Sequence, residues 1–294
     1  MSEVILNKPT KIKQPLFSKK TRTVLKKILG YVVLTAIALV FMVPLFWMIS
    51  TSLKQRWDIF AYPPTWIPAD PQWGNYIEAF QKYPLGRFML NSVFLVVVNT
   101  ISQLVVVPIV AYGFARLRFP GKRILFLLLL ATMMLPGHIK LIPLYSLYIK
   151  LNWIDSYLPM IVPSFFGDSF FIFLMVQYMK TLPRELDDAA RIDGAGTWQI
   201  LYKIILPLCK PPLTIVTVFS FLWTWNEFMH PLIFLNTFEK FPIGVGLAFF
   251  RGRYSTEWNL FMAATLVTIL PVLIVYFFSQ DKLIGGIASV GLKG

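Results

Sequence analysis

Three stretches of the chain run without a charged residue for at least the thickness of a membrane. Residues 28–49 (ILGYVVLTAIALVFMVPLFWMI), 88–114 and 258–280 are 22, 27 and 23 residues long, against the ~20 helical residues that cross a hydrocarbon core. Three further apolar stretches carry isolated ionisable groups. Residues 124–149 contain His138 and Lys140, residues 156–179 contain Asp168, and residues 211–236 contain Glu227 and His230. The pattern predicts an all-α membrane protein with six transmembrane helices. Its spanning domain covers residues 28–280, with a long loop at 50–87 on one side and a long loop at 180–210 on the other. An arm (1–27) and a tail (281–294) flank it. The basic arm and the apolar run after it resemble a signal peptide in outline. The run is too long for a cleaved segment and no small-residue site ends it, so the first helix is expected to stay as an anchor. No internal repeat is visible, which speaks against a carrier built from two inverted halves.

Composition agrees with this reading. Hydrophobic residues make up 56% of the 294 positions and charged residues 14%, where a soluble domain carries about 25% charged. The net charge of +14 raises the question of nucleic acid, and the distribution of that charge answers it. With six spans both termini share a side, together with the loops 115–123 and 180–210. That side holds 19 of the Lys and Arg residues and the opposite side 8. Positive residues remain inside, so both termini are expected in the cytoplasm and no nucleic-acid partner is expected. The outer loop 50–87 is rich in Trp and Pro (Trp57, Pro63, Pro64, Trp66, Trp73), as in an interfacial belt or a short external cap. Cys209 is the sole cysteine, so an internal disulfide is impossible.

The loop 180–210 is the most informative segment. Pro183 suits a first helical turn, and Glu185, Asp187 and Asp188 place acid at its positive end. Asp187 and Arg191, four apart, are expected to pair on an exposed face, with Leu186, Ala189, Ala190 and Asp193 on the other. Gly194 and Gly196 stop the helix, and Thr197 is expected to cap a second one running toward Pro207. On physics alone, a docking helix and a solvated amphipathic linker read the same way.

The spacing Asp188-Ala189-Ala190, three residues, Gly194, nine residues, Ile204-Ile205-Leu206-Pro207 resembles the EAA loop of bacterial ABC-importer permeases. Asp188 stands where that family usually has Glu, keeping the charge with a shorter reach. The flanking Pro183-Arg184-Glu185-Leu186 and Ile192-Asp193-Gly194-Ala195 resemble the carbohydrate branch, the maltose-permease-like inner-membrane subunits. So do Asn75-Tyr76, Asn91-Ser92, Trp225-Asn226-Glu227-Phe228 and Met262-Ala263-Ala264. The resemblance covers about residues 28–294 and implies a type I ABC-importer permease fold in a bacterial inner membrane. It further implies a second homologous permease, a dimer of cytoplasmic ATPase subunits, an external solute-binding protein and a sugar substrate. Glu185, Asp188, Ala189, Ala190, Asp193 and Gly194 would couple to the ATPase. In such assemblies the C-terminal tail, here Lys293 and Gly294, can also approach the ATPase pair.

Ionisable groups at membrane depth are functional candidates, since leaving them unpaired in lipid costs several kcal/mol. Glu227 and His230 share a helix face; a proton relay and a plain polar lining both fit them. An ion-coupled carrier or channel using Glu227, His230 and Asp168 is therefore the alternative to an ATP-driven importer. Asp168 either lines a sugar path or satisfies broken backbone near Gly167. Lys140, beyond Pro136, is expected to snorkel toward the outer boundary. Aromatic faces beside hydrogen-bonding groups would suit a sugar, which makes Asp168, Trp223, Trp225, Asn226 and Glu227 candidate path residues. No phosphate-binding glycine loop or H-E-x-x-H occurs. The chain is thus expected to be a non-enzymatic transport subunit without a cofactor, with ATP and Mg held by the partner ATPase.

Overall fold

The computed structural model describes residues 19–252 and 256–291. The first eighteen residues of the basic arm, and Lys293 and Gly294 of the tail, lie outside them. Among the described residues the fold is helical, with no β-strand. Among these residues four helical segments are long and apolar enough to cross a membrane: Thr23–Ser52, Leu85–Arg116, Leu158–Thr181 and Trp258–Gln280. Two bent pairs raise the number to six if each pair is one span: Lys122–Met134 with Gly137–Lys150, bent by 98°, and Thr197–Leu208 with Lys210–Trp225, bent by 80°.

Among the described residues the helices of six residues or more are α1 (Lys19–Ser52), α2 (Gly74–Lys82), α3 (Leu85–Arg116), α4 (Lys122–Met134), α5 (Leu141–Lys150), α6 (Ser169–Thr181), α7 (Glu185–Ile192), α8 (Thr197–Leu208), α9 (Lys210–Trp225), α10 (Met229–Phe234) and α11 (Trp258–Gly291). Helix α3 is the axis of the molecule, packed against both α6 and α9, which also touch each other. Helix α11 closes over α9 and carries α1 on its outer flank, while α4 leans on α6. The apolar faces of α1 and α4 are exposed along most of their length, as expected of helices whose solvent is lipid or a partner subunit.

The breaks have local causes. Between α4 and α5 the residues Leu135 and Pro136 are extended and Gly137–Lys140 form a 3₁₀ turn, because proline disfavours a helical residue before it. Between α8 and α9 the chain turns at Cys209, and Pro211 and Pro212 follow in the first turn of α9, where their missing N–H groups cost nothing. The segment leading to α6 breaks at Gly167, whose φ of 76° suits glycine.

The fifth span is shorter than the sequence suggests. Helix α9 ends at Trp225, and residues 226–236 form a turn and the short helix α10. Asn226 donates its side-chain amide back to the Leu222 carbonyl at 2.8 Å, and Glu227 accepts the backbone N–H groups of Met229 and His230 at 3.0 and 3.1 Å. A carboxylate capping a new helix start competes with continuing the old one.

Two buried clusters divide the interior. One gathers Phe88, Trp225, Phe241, Ile243 and Phe250 at the end of the molecule that carries α2. There Gly246 lies so close to Phe88 that a Cβ would stand 2.2 Å from the ring. The loop 50–87 packs onto this end as a cap: Trp66 meets Trp47 edge-on at 5.1 Å, and Lys54 is 1% exposed. The Lys54 ammonium lies 4.2 Å from the Trp47 ring centre and donates to the Thr65 carbonyl, so a cation–π contact and a hydrogen bond replace its water. The other cluster gathers Val107, Ala111, Phe171, Met175, Val176 and Ile205, and it includes Ala190 from α7. The loop helix is therefore built into the core at the opposite end.

Candidate functional site

Helix α7 is amphipathic in an unusual sense: two residues face inward and most of the rest face out. Asp187 and Ala190, three apart, are buried, while Glu185, Leu186, Asp188, Ala189, Ile192 and Asp193 are exposed. The small Ala190 lets the helix backbone lie directly on the core. Gly194 then closes the helix with φ 80°, its N–H donating to the Arg191 carbonyl at 3.0 Å. This is the left-handed C-terminal geometry that glycine takes without steric cost.

The charge pairing differs from the expected Asp187–Arg191 pair. Asp187 turns inward to Arg116 at the end of α3, with Nε to Oδ2 at 3.4 Å and both side chains under one-tenth exposed. Arg116 also donates through Nη2 to the Leu182 carbonyl at 3.0 Å, and the Tyr112 hydroxyl lies 3.4 Å from Asp187 Oδ1. The central helix thus grips both the approach to α7 and its first turn. The cap of α8 also differs: Gly196 occupies that position and donates its N–H to the Gln199 side-chain oxygen at 2.9 Å, with Thr197 as the first helical residue. The α7 surface that remains outward is acidic and apolar together, with Ile192 87% exposed. An isoleucine so exposed on a short helix wants a covering surface.

A second feature is an open cavity of about 400 Å³ bordered by α3, the α4–α5 bend, the segment before α6, and the α9–α10 turn. Asp168, Trp223 and Glu227 line it, as do His230, Asn99, Thr224, Tyr148 and Lys140. Trp223 presents its ring while stacked on Phe171 at 4.9 Å and 15°. Asn99 donates toward the Thr224 hydroxyl at 3.4 Å, and its Oδ1 has no hydrogen-bond partner. Lys140 lines this cavity, because the 98° bend turns the 3₁₀ segment inward.

Two of the candidate path residues stand elsewhere. Trp225 is 4% exposed, stacked on Phe221 and donating its indole N–H to the Thr268 carbonyl at 3.2 Å; it joins α9 to α11. Asn226 is exposed and is absorbed in ending α9. Both carboxylates on the cavity have structural duties. Asp168 caps α6 by accepting the Phe170 N–H at 2.8 Å, and its own N–H donates to Gln103 at 2.9 Å. Glu227 Oε1, besides capping α10, lies 3.1 Å from His230 Nδ1. Sequence reasoning missed Asn99 and Thr224, two uncharged residues inside apolar runs, and treated Arg116 only as an orienting charge.

Known proteins share this architecture. The chain matches the family described as binding-protein-dependent transport system inner membrane component over residues 18–287. It is 30% identical over 252 residues to the sulfoquinovosyl glycerol transport system permease protein SmoH of Agrobacterium fabrum, covering 85% of this chain and 88% of the relative. It is 33% identical over 246 residues to the arabinooligosaccharides transport system permease protein AraQ of Halalkalibacterium halodurans, covering 83% and 86%. Among solved structures it resembles a chain from the crystal structure of a bacterial ABC transporter involved in the import of the acidic polysaccharide alginate. That match has a TM-score of 0.77 at 24% identity and covers 91% of this chain and 99% of the other. The chain belongs to the binding-protein-dependent transport system inner membrane component family and is an ABC-transporter permease.

Proposed function

We propose that the chain forms half of the translocation pathway of an ATP-driven carbohydrate importer and is driven through α7 by a cytoplasmic ATPase. A second, similar permease completes the pathway, and an external solute-binding protein delivers the sugar to the end capped by loop 50–87. Both termini and α7 face the cytoplasm, following the excess of Lys and Arg there. ATP and Mg belong to the ATPase.

The observation that carries this reading is the two-sided character of α7. Its outer face offers Leu186, Ala189 and Ile192 beside Glu185, Asp188 and Asp193. Its inner face is locked to α3 by the Arg116–Asp187 pair and to the core by Ala190. A push on the outer face therefore reaches the central transmembrane helix without an intervening flexible loop. Helix α8 carries a π-helical stretch at Ile200–Ile205, and the bend at Cys209 leads into α9, which holds Trp223 and Thr224 on the cavity. The carbohydrate class is supported by the relatives' transported solutes and by the cavity itself, where an aromatic face stands among amide, hydroxyl and charged groups.

Uptake of radiolabelled sugar into cells expressing the full transporter tests the reading. Ala189→Trp puts a bulky ring on the exposed face without touching the core. Uptake should fall more than about tenfold, as when a central interface contact is lost, while the chain still inserts and co-purifies with the second permease. Unchanged uptake would contradict it, as would uptake driven by a pH gradient and indifferent to ATP.

A further inference from the structure

A cavity of about 330 Å³ opens between the ends of α3 and α6 and the start of α4. Phe114, Phe126 and Val176 form its apolar side, and Lys122, Arg123 and Lys180 its polar side. No carboxylate lines it. The Lys180 ammonium sits 5.5 Å from the Phe126 ring centre, and Lys122 donates to the Leu117 carbonyl at 2.8 Å. Among the described residues none of the three cations takes part in an ion pair, and the strongest charges acting on Lys122 are Lys180, Arg184 and Arg118, all of its own sign. Three converging cations without a counter-charge describe an anion site whose anion comes from outside the chain. The first turn of α4 adds its unpaired N–H groups, since Gly121 before it provides no side-chain cap.

The surroundings specify the kind of anion. The cavity lies at the α7 end of the molecule, because Arg116, the last residue of α3, is bonded to Leu182, two residues beyond Lys180. Away from the cations α4 continues as an apolar helix with no buried residue, and Ile124, Leu125, Leu127 and Leu128 are each about half exposed or more. A charged cavity at one end of an exposed apolar helix has the shape of a headgroup with its acyl chains.

We propose that Lys122, Arg123 and Lys180 bind the phosphodiester headgroup of an anionic phospholipid of the cytoplasmic leaflet, with its chains along the exposed face of α4. The proposal depends on membrane placement and not on the identity of the transported solute. The site adjoins the α3 end that holds α7, so its occupant would brace the base of the coupling loop.

The test uses the full-length chain in its transport complex, reconstituted into nanodiscs of phosphatidylcholine mixed with phosphatidylglycerol. Native mass spectrometry counts the retained phosphatidylglycerol. The triple variant Lys122→Gln, Arg123→Gln, Lys180→Gln should retain it at least about tenfold more weakly, and Lys122→Arg with Lys180→Arg should retain it as the parent does. Should the triple variant fail to assemble, Lys180→Gln alone should still weaken retention. Equal retention by the neutralised variant would overturn the proposal. So would displacement of phosphatidylglycerol by inorganic phosphate, which would mark a site for a free anion.

Discussion

Single side chains decide how the proposed coupling works, and Asp187 is the clearest case. Removing one member of a buried ion pair strands the other charge, at a cost of about 3–5 kcal/mol, whereas replacing both by apolar residues is often neutral. Asp187→Leu should therefore lower the thermal stability of the purified chain strongly, and adding Arg116→Met should recover most of the loss. If the double variant is as unstable as the single one, the pair is not the tie between α3 and α7. Uptake should remain low in the stable double variant, since the charge-assisted grip on Leu182 and α7 is gone. The inward turn of Asp187 was not legible in the sequence. Asp187 and Asp188 are adjacent and chemically alike, and which of them faces the protein depends on where Arg116 ends up. Trp223 and Trp225 pose the same problem: one lines the cavity and the other is packed on Thr268 of α11, and only the position of the neighbouring helix separates them.

At the scale of elements, the loops after α5 and α10 are held by a small polar cluster. Asp155 accepts from the backbone N–H groups of Asn236 and Thr237 at 3.0 and 2.8 Å and from Lys240 at 2.8 Å, joining the turn after α5 to the segment after α10. These donors, together with the Thr237 hydroxyl, which also donates to Asp155, hold the Asp155 carboxyl well below the usual carboxylate range, the Lys240 ammonium first among them. A depressed folded-state pKa adds stability that is present above the unfolded-state value of about 3.8 and is lost as the pH falls through the folded-state value. Local protection of these loops, read by hydrogen exchange, should stay constant from neutral pH to about pH 4 and decline only below it. Asp155→Asn should show weaker protection throughout and little of that acid dependence; an unchanged profile would refute the assignment. Long apolar spans and the α7–glycine–α8 pattern were legible, since period, glycine and proline are local signals. The early end of α9 was not: Asn226 and Glu227 read as polar insertions in a span until their hydrogen bonds show that one closes a helix and the other opens the next.

Across the whole molecule, the charge of +14 becomes a question of placement. The α7 loop, with five basic and four acidic residues in 180–210, is nearly neutral on the side expected to be most basic, and it offers an exposed acidic and apolar face. If the chain is driven as proposed, the ATPase covers this face. This is tested most directly by placing a thiol there with Ala189→Cys and measuring its labelling by a maleimide in membranes with and without the ATPase subunits. The natural Cys209 is buried, so it should stay silent. The introduced thiol should label readily from the cytoplasmic side in the permease alone and be strongly protected once the ATPase is assembled. Equal labelling in both states, or labelling from the outer side, would contradict it.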